Sequence, residues 1–183
     1  MIKDKFQNYF VITGGPGVGK TTLLNKLKNT GNHIIPEDAR HIIQQQIQIN
    51  GEALPWKNKT LYAELMFKAS LETYQNVNID AFDKTVFFDR GILDSICYME
   101  MEKISISDEM LTIARLHPYN EKVFILPPWL EIYEQDSERK QSWETAEYTF
   151  DQMRKTYLNF GYKLIEVPRA TPEERCEFVL NNI

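Results

Sequence analysis

Residues 10–21 read Phe-Val-Ile-Thr-Gly-Gly-Pro-Gly-Val-Gly-Lys-Thr, and within them Gly14, Gly19, Lys20 and Thr21 meet the spacing G-x-x-x-x-G-K-[ST] without a mismatch. That spacing is a phosphate loop, and its chemistry is the binding of a nucleoside triphosphate with Mg²⁺. Gly14, Gly15, Gly17 and Gly19, with Pro16 and Val18 between them, let the backbone curl and turn its N–H groups inward around an anion. A helix starting at Lys20 presents unpaired amides and the positive end of its dipole. Lys20 is expected to reach the β- and γ-phosphates and Thr21 to offer its hydroxyl to Mg²⁺, with Thr22 beside them in the first helical turn. The plain alternative is a glycine-rich turn that happens to precede a helix, and the flanking pattern argues against it.

Charged groups follow other apolar runs. Thr85-Val-Phe-Phe-Asp89-Arg90 ends in an acid that can orient Mg²⁺ or accept a proton from an acceptor hydroxyl. Arg90 is a planar fork suited to an acceptor's phosphate or hydroxyl groups. Otherwise Asp89 caps the next helix and Arg90 pairs on the surface. Pro36-Glu37-Asp38-Ala39-Arg40 offers Glu37 as general base or hydroxyl ligand, with Arg40 beside the acceptor. Otherwise Asp38 caps the following helix and Glu37 favours its dipole. After Pro127-Pro128-Trp129 comes a segment with Asp136, Arg139 and Lys140. Arg139 and Lys140 can close over the phosphates and neutralise charge in the transition state, or pair with Asp136 on a solvated helix. Arg169 can cover the purine base or sit in a plain turn, and Trp56 can stack on an acceptor's ring or pack its own loop. His33, His41 and His117 make no case beyond packing, surface or turn positions.

The elements that must position these groups follow from short apolar runs alternating with longer helical patterns. Strands are expected at 9–13, 33–37, 85–89, 122–126 and 163–167. Helices are expected at 20–29, 38–49, 58–79, 92–101, 107–116, 129–141, 143–159 and 172–181. Thr171-Pro172-Glu173-Glu174 is a capping box with proline at the first helical position. Trp143, Ala146, Phe150, Met153 and Tyr157 recur at spacings of three and four, so that helix buries one face. Strands alternating with helices imply a parallel sheet covered on both sides, with ligands beyond the carboxyl ends of its strands. Residues 13–21, 37–40, 89–91, 126–129 and 167–171 all fall there.

With 183 residues, 43% of them hydrophobic and 26% charged, the chain reads as one α/β domain. Its net charge of −5 argues against specific nucleic-acid binding. Cys97 and Cys176 are too far apart for a C-x-x-C motif and suit buried thiols in a reducing cytoplasm. No signal peptide and no membrane span is expected.

The chain resembles the small bacterial predicted ATPases with a NadR-like AAA domain, relatives of the nicotinamide-riboside kinase module of NadR. The residues that carry the resemblance are Gly-Gly-Pro-Gly-Val-Gly-Lys-Thr at 14–21, Pro-Glu-Asp-Ala-Arg at 36–40, Asp-Arg-Gly at 89–91, Pro-Pro-Trp at 127–129, Asp-x-x-Arg-Lys at 136–140 and Glu-Val-Pro-Arg at 166–169. More distantly the chain is similar to nucleoside and nucleoside-monophosphate kinases. The resemblance implies a P-loop NTPase with a doubly wound five-stranded parallel sheet, an acceptor site within 37–90 and a helical lid near 129–142. It implies ATP and Mg²⁺ as cofactors, but names no acceptor. Two readings follow: a kinase moving the γ-phosphate of ATP to a small hydroxyl compound, or a slow ATPase or GTPase that signals through a protein partner. No Asn-Lys-x-Asp guanine motif is present, which tilts the base towards adenine.

Overall fold

The sheet is built on β1 (Tyr9–Gly14), in which every residue is buried. Its side chains alternate: Tyr9 and Val11 enter one core, Phe10 and Ile12 the other, as a strand covered on both faces requires. The computed structural model describes residues 5–77, 85–133 and 142–183. Four further strands are β2 (His33–Ile35), β3 (Val86–Asp89), β4 (Lys122–Leu126) and β5 (Lys163–Glu166). They pair in the order β2-β3-β1-β4-β5, and all four pairings are parallel.

The described helices are α1 (Lys20–Asn29), α2 (Asp38–Gln48), α3 (Lys59–Asn76), α4 (Ile92–Met101), α5 (Asp108–Leu116), α6 (Leu130–Tyr133), α7 (Trp143–Asn159) and α8 (Pro172–Leu180). Leu23, Leu24 and Leu27 of α1 join Cys176 and Val179 of α8 over Phe10, Ile12, Phe87 and Phe124. On the opposite face α3, α4, α5 and α7 bury Phe67, Ile96, Ala114 and Tyr157 over Val11, Phe88 and Val123. Each large apolar side chain buried in this way contributes about 1.5–3 kcal/mol of transfer free energy. The sheet is therefore doubly wound, with helices on both faces.

Caps define several helix starts. The Asn58 side chain accepts from the Leu61 N–H at 3.0 Å, and the Ser107 hydroxyl from the Met110 N–H at 3.2 Å. Thr171 and Glu174 cap each other at the start of α8. β2 ends at Ile35, two residues short of the expected boundary, because Pro36 has no N–H to continue a ladder. The helix expected at 58–79 ends at Asn76, where Val77 turns extended, and residues 78–79 and most of the helix expected at 129–141 lie outside the described residues. Cys97 and Cys176 are both buried free thiols. Among the described residues no helix is long and apolar enough to cross a membrane.

Candidate active site

The carboxyl ends of β1 and β3 lie side by side, with Ile12 in register with Asp89. From the first the chain enters the glycine loop, and from the second it turns sharply. At Gly14, φ is 147° and an added Cβ would lie 2.8 Å from the Leu126 carbonyl oxygen, so only glycine fits between β1 and β4. At Gly19, φ is 82° and a Cβ would lie 2.7 Å from Nη1 of Arg175. Helix α1 then starts with no side-chain cap and no acid in its first turn. Its leading amides and dipole are left to attract an anion.

Lys20 is buried to 8% exposure, and its Nζ lies 3.5 Å from Oδ1 of Asp89. Burial, helped by the Arg90 charge, pushes the Lys20 pKa below its ordinary value despite the carboxylates around it. Burial likewise raises Asp89, with Glu37 adding to the rise and Lys20 opposing it. Each partner thus shifts against its own charge, so desolvation outweighs their mutual attraction. Beyond that ion pair, Asp89 Oδ1 is buried with no hydrogen-bond partner among the described residues. That orphaned oxygen and the hydroxyl of exposed Thr21 are hard donors that fit Mg²⁺. Among the described residues no group of three His, Cys, Asp or Glu could hold a metal by itself. A cation here would share its coordination with phosphate oxygens, the usual habit of Mg²⁺.

Arg90 makes the turn after β3. Its N–H donates to the Ile12 carbonyl at 3.0 Å, and its φ of 71° is in the left-handed region. A non-glycine residue held there costs of order 1 kcal/mol and needs strong restraint. The guanidinium supplies it: Nε donates to Glu37 at 2.7 Å and Nη1 to Asp94 at 3.2 Å. Burial works against the Arg90 charge, but Asp94, Glu37 and Asp89 outweigh it and hold the pKa above its ordinary value.

Asp94 is the functional residue that the sequence reading missed. It is buried and accepts from the Thr13 hydroxyl, the Gly91 N–H at 2.8 Å, the Tyr157 hydroxyl at 2.7 Å and Arg90. One signal was present: an acid three residues into a helix that opens at Gly91, the position that reaches back to the helix's first amide.

Beside these charges lies a cavity of about 170 Å³. Glu37, Asp38, Asp89, Arg90 and Asp94 line its polar side, and Tyr62, Met66, Tyr98, Met101 and Met153 its apolar side, with Pro16 at the phosphate loop. Cys97 also lines it, and burial pushes that thiol up to about 12, so it is not a nucleophile at neutral pH. Arg40 and Trp56 are not brought into this cavity; Arg40 is exposed, and Trp56 is 64% exposed on the α2–α3 connection. Arg169 donates from Nε to the Pro128 carbonyl at 2.9 Å, joining the β5–α8 loop to the end of β4. Arg139 and Lys140 lie outside the described residues.

A family model described as an AAA domain matches residues 9–175. The chain belongs to this AAA-domain family. No curated protein matches it. The AAA domain is similar in fold to deoxyadenosine kinase from M. mycoides, at 17% identity and a TM-score of 0.60, covering 95% of this chain and 97% of that one. It is similar to NadR, solved in complex with NR, at 17% identity and a TM-score of 0.70, covering 96% of this chain and 50% of that one. Thymidylate kinase from Ehrlichia chaffeensis matches at 13% identity and a TM-score of 0.63, covering 96% and 98%. At such identities the likeness is one of fold, and the fold is that of the P-loop kinases.

Proposed function

We propose that this AAA domain is a phosphotransferase that moves the γ-phosphoryl group of ATP to a hydroxyl of a small, nucleoside-like acceptor. The observation that carries this reading is the Lys20–Asp89 pair, 3.5 Å apart where the phosphate loop meets a cavity large enough for part of a small molecule. ATP binds on residues 14–21, with Arg169 beside the base. Thr21 and Asp89 would hold Mg²⁺, which when bound would supply charge neutralisation at the phosphates.

The cavity's charges bear on the acceptor. Four acidic side chains, Glu37, Asp38, Asp89 and Asp94, line it against Arg90, whose Nε and Nη1 are already engaged by Glu37 and Asp94. Among the described residues these acids outnumber the one arginine that lines the cavity, so an anionic acceptor would meet repulsion. A neutral hydroxyl compound with a flat ring suits the tyrosine and methionine side.

In the transfer, the acceptor oxygen attacks the γ-phosphorus as the bond to the β-phosphate bridge oxygen breaks. The hydroxyl proton passes to a carboxylate, leaving ADP and the phosphorylated acceptor. Asp89 suits the base role better than Glu37, because burial raises its pKa above the ordinary carboxylate value while Glu37 is spent on Arg90. Lys20 follows the migrating phosphoryl group. Phosphoryl transfer depends mainly on positioning and charge stabilisation, so these groups suffice.

Lys20→Ala is expected to abolish turnover, and full activity in that variant sinks the assignment. A panel of nucleosides, nucleotides and vitamins should contain a neutral hydroxyl compound that stimulates ATP consumption. No stimulation, with nucleotide-dependent binding to a protein instead, favours a regulatory switch.

A further inference from the structure

Arg175 is buried to 4% exposure, yet among the described residues no carboxylate pairs with it. Its place in α8 is firmly set. The Thr171–Glu174 capping box starts the helix, Glu173 bonds Lys26 of α1, and Cys176 and Val179 enter the core under β1. From this platform the guanidinium reaches the phosphate loop from outside its ring of amides. Nη2 donates to the Val18 carbonyl at 3.0 Å, and Nη1 occupies the space a Gly19 side chain would need. Nε is buried and has no hydrogen-bond partner among the described residues. Burial alone acts on the group, and it pushes the pKa below the ordinary arginine value.

A buried cation without a counter-charge is costly, and replacing one by an apolar side chain of similar volume is often neutral or stabilising. Its position at the residue before Lys20 gives that cost a purpose. We propose that Arg175 is a positioning residue of the nucleotide site, bracing the Val18–Gly19 turn and lending its uncompensated charge to the bound polyphosphate. The inference rests on the nucleotide-binding reading of residues 14–21. On this view the missing side chain at Gly19 serves two ends, admitting a left-handed backbone and admitting Arg175. The counter-charge arrives with the ligand, so nucleotide binding relieves a penalty carried by the free protein.

The test uses the full chain and its Arg175→Met and Arg175→Lys variants, competing ATP, ADP and AMP against a fluorescent ATP analogue with Mg²⁺. Arg175→Met should lose at least tenfold in affinity for ATP, less for ADP and least for AMP. Its unfolding midpoint without nucleotide should not fall, while the midpoint shift produced by ATP should shrink. Arg175→Lys should recover part of the ATP affinity. Wild-type affinities in Arg175→Met overturn the proposal. So does an equal loss for all three nucleotides with a lowered nucleotide-free midpoint, which would mark a packing role alone. Failure of the wild-type protein to bind any of the three overturns the nucleotide-binding reading itself, a result separate from these.

Discussion

At the scale of single residues, desolvation outweighs pairing at Lys20 and Asp89, while pairing wins at Arg90. Asp89 sits beside a lysine and an arginine, yet burial leaves its pKa raised. As a base it must be ionised, so kcat/KM should fall as the pH drops through a value above the ordinary carboxylate pKa of about 4. Asp89→Asn should remove that acid limb and lower turnover by about 10²-fold or more, with the pH–rate profile as the measurement. The sign for stability is opposite. A carboxyl whose folded pKa is raised stabilises the fold only while protonated, and that contribution is lost as the pH rises through the folded pKa. Asp89→Asn should therefore melt no lower than the native protein at pH 7, checked by calorimetry. Lys20, Asp89 and the loop glycines were legible in the sequence because a spacing motif and a strand end announce them. The Lys20–Asp89 distance was not, since it depends on which strand lies beside β1.

At the scale of elements, Asp94 ties four parts of the fold to one carboxylate. It accepts from Thr13 of β1, Gly91 at the start of α4, Arg90 after β3 and Tyr157 of α7. Asp94→Ala leaves the half-buried Arg90 half paired and strands three further donors. The expected loss is about 3–5 kcal/mol, measurable as a lowered urea midpoint. Arg90 should also leave its left-handed turn, which would disturb Glu37 and the cavity. Helix starts at Asn58, Ser107 and Thr171 could be read from local sequence, because a cap needs only residues a few positions apart. The four-way contact at Asp94 could not, since its donors lie 81, 63, 4 and 3 residues away along the chain. Trp56 illustrates the converse: an aromatic in an irregular stretch invited a stacking role, and the fold leaves it 64% exposed outside the cavity.

At the scale of the whole molecule, the sheet's order makes the site. With β1 central, the phosphate loop emerges between β3, which carries Asp89, and β4, which leads towards Pro128 and Arg169. Phe124 of β4 is fully buried where α1 and α8 cover the sheet. Phe124→Ala should cost about 3–5 kcal/mol by urea denaturation, while the molecules that stay folded still bind nucleotide. Legible from the sequence alone were the alternation of strands and helices, the burial of the inner strands β1, β3 and β4 on both faces, and the phosphate loop that joins the first strand to the first helix. Those features are local: hydrophobic period, turn residues and motif spacing act over a few residues. The packing of the chain was needed to place β3 rather than β2 beside β1, to pair Arg90 with Glu37 and Asp94, and to set Arg175 behind Gly19 with no carboxylate partner among the described residues. Strand order and the sharing of buried charge are settled by contacts between residues distant in the chain, and no local pattern encodes which partner wins.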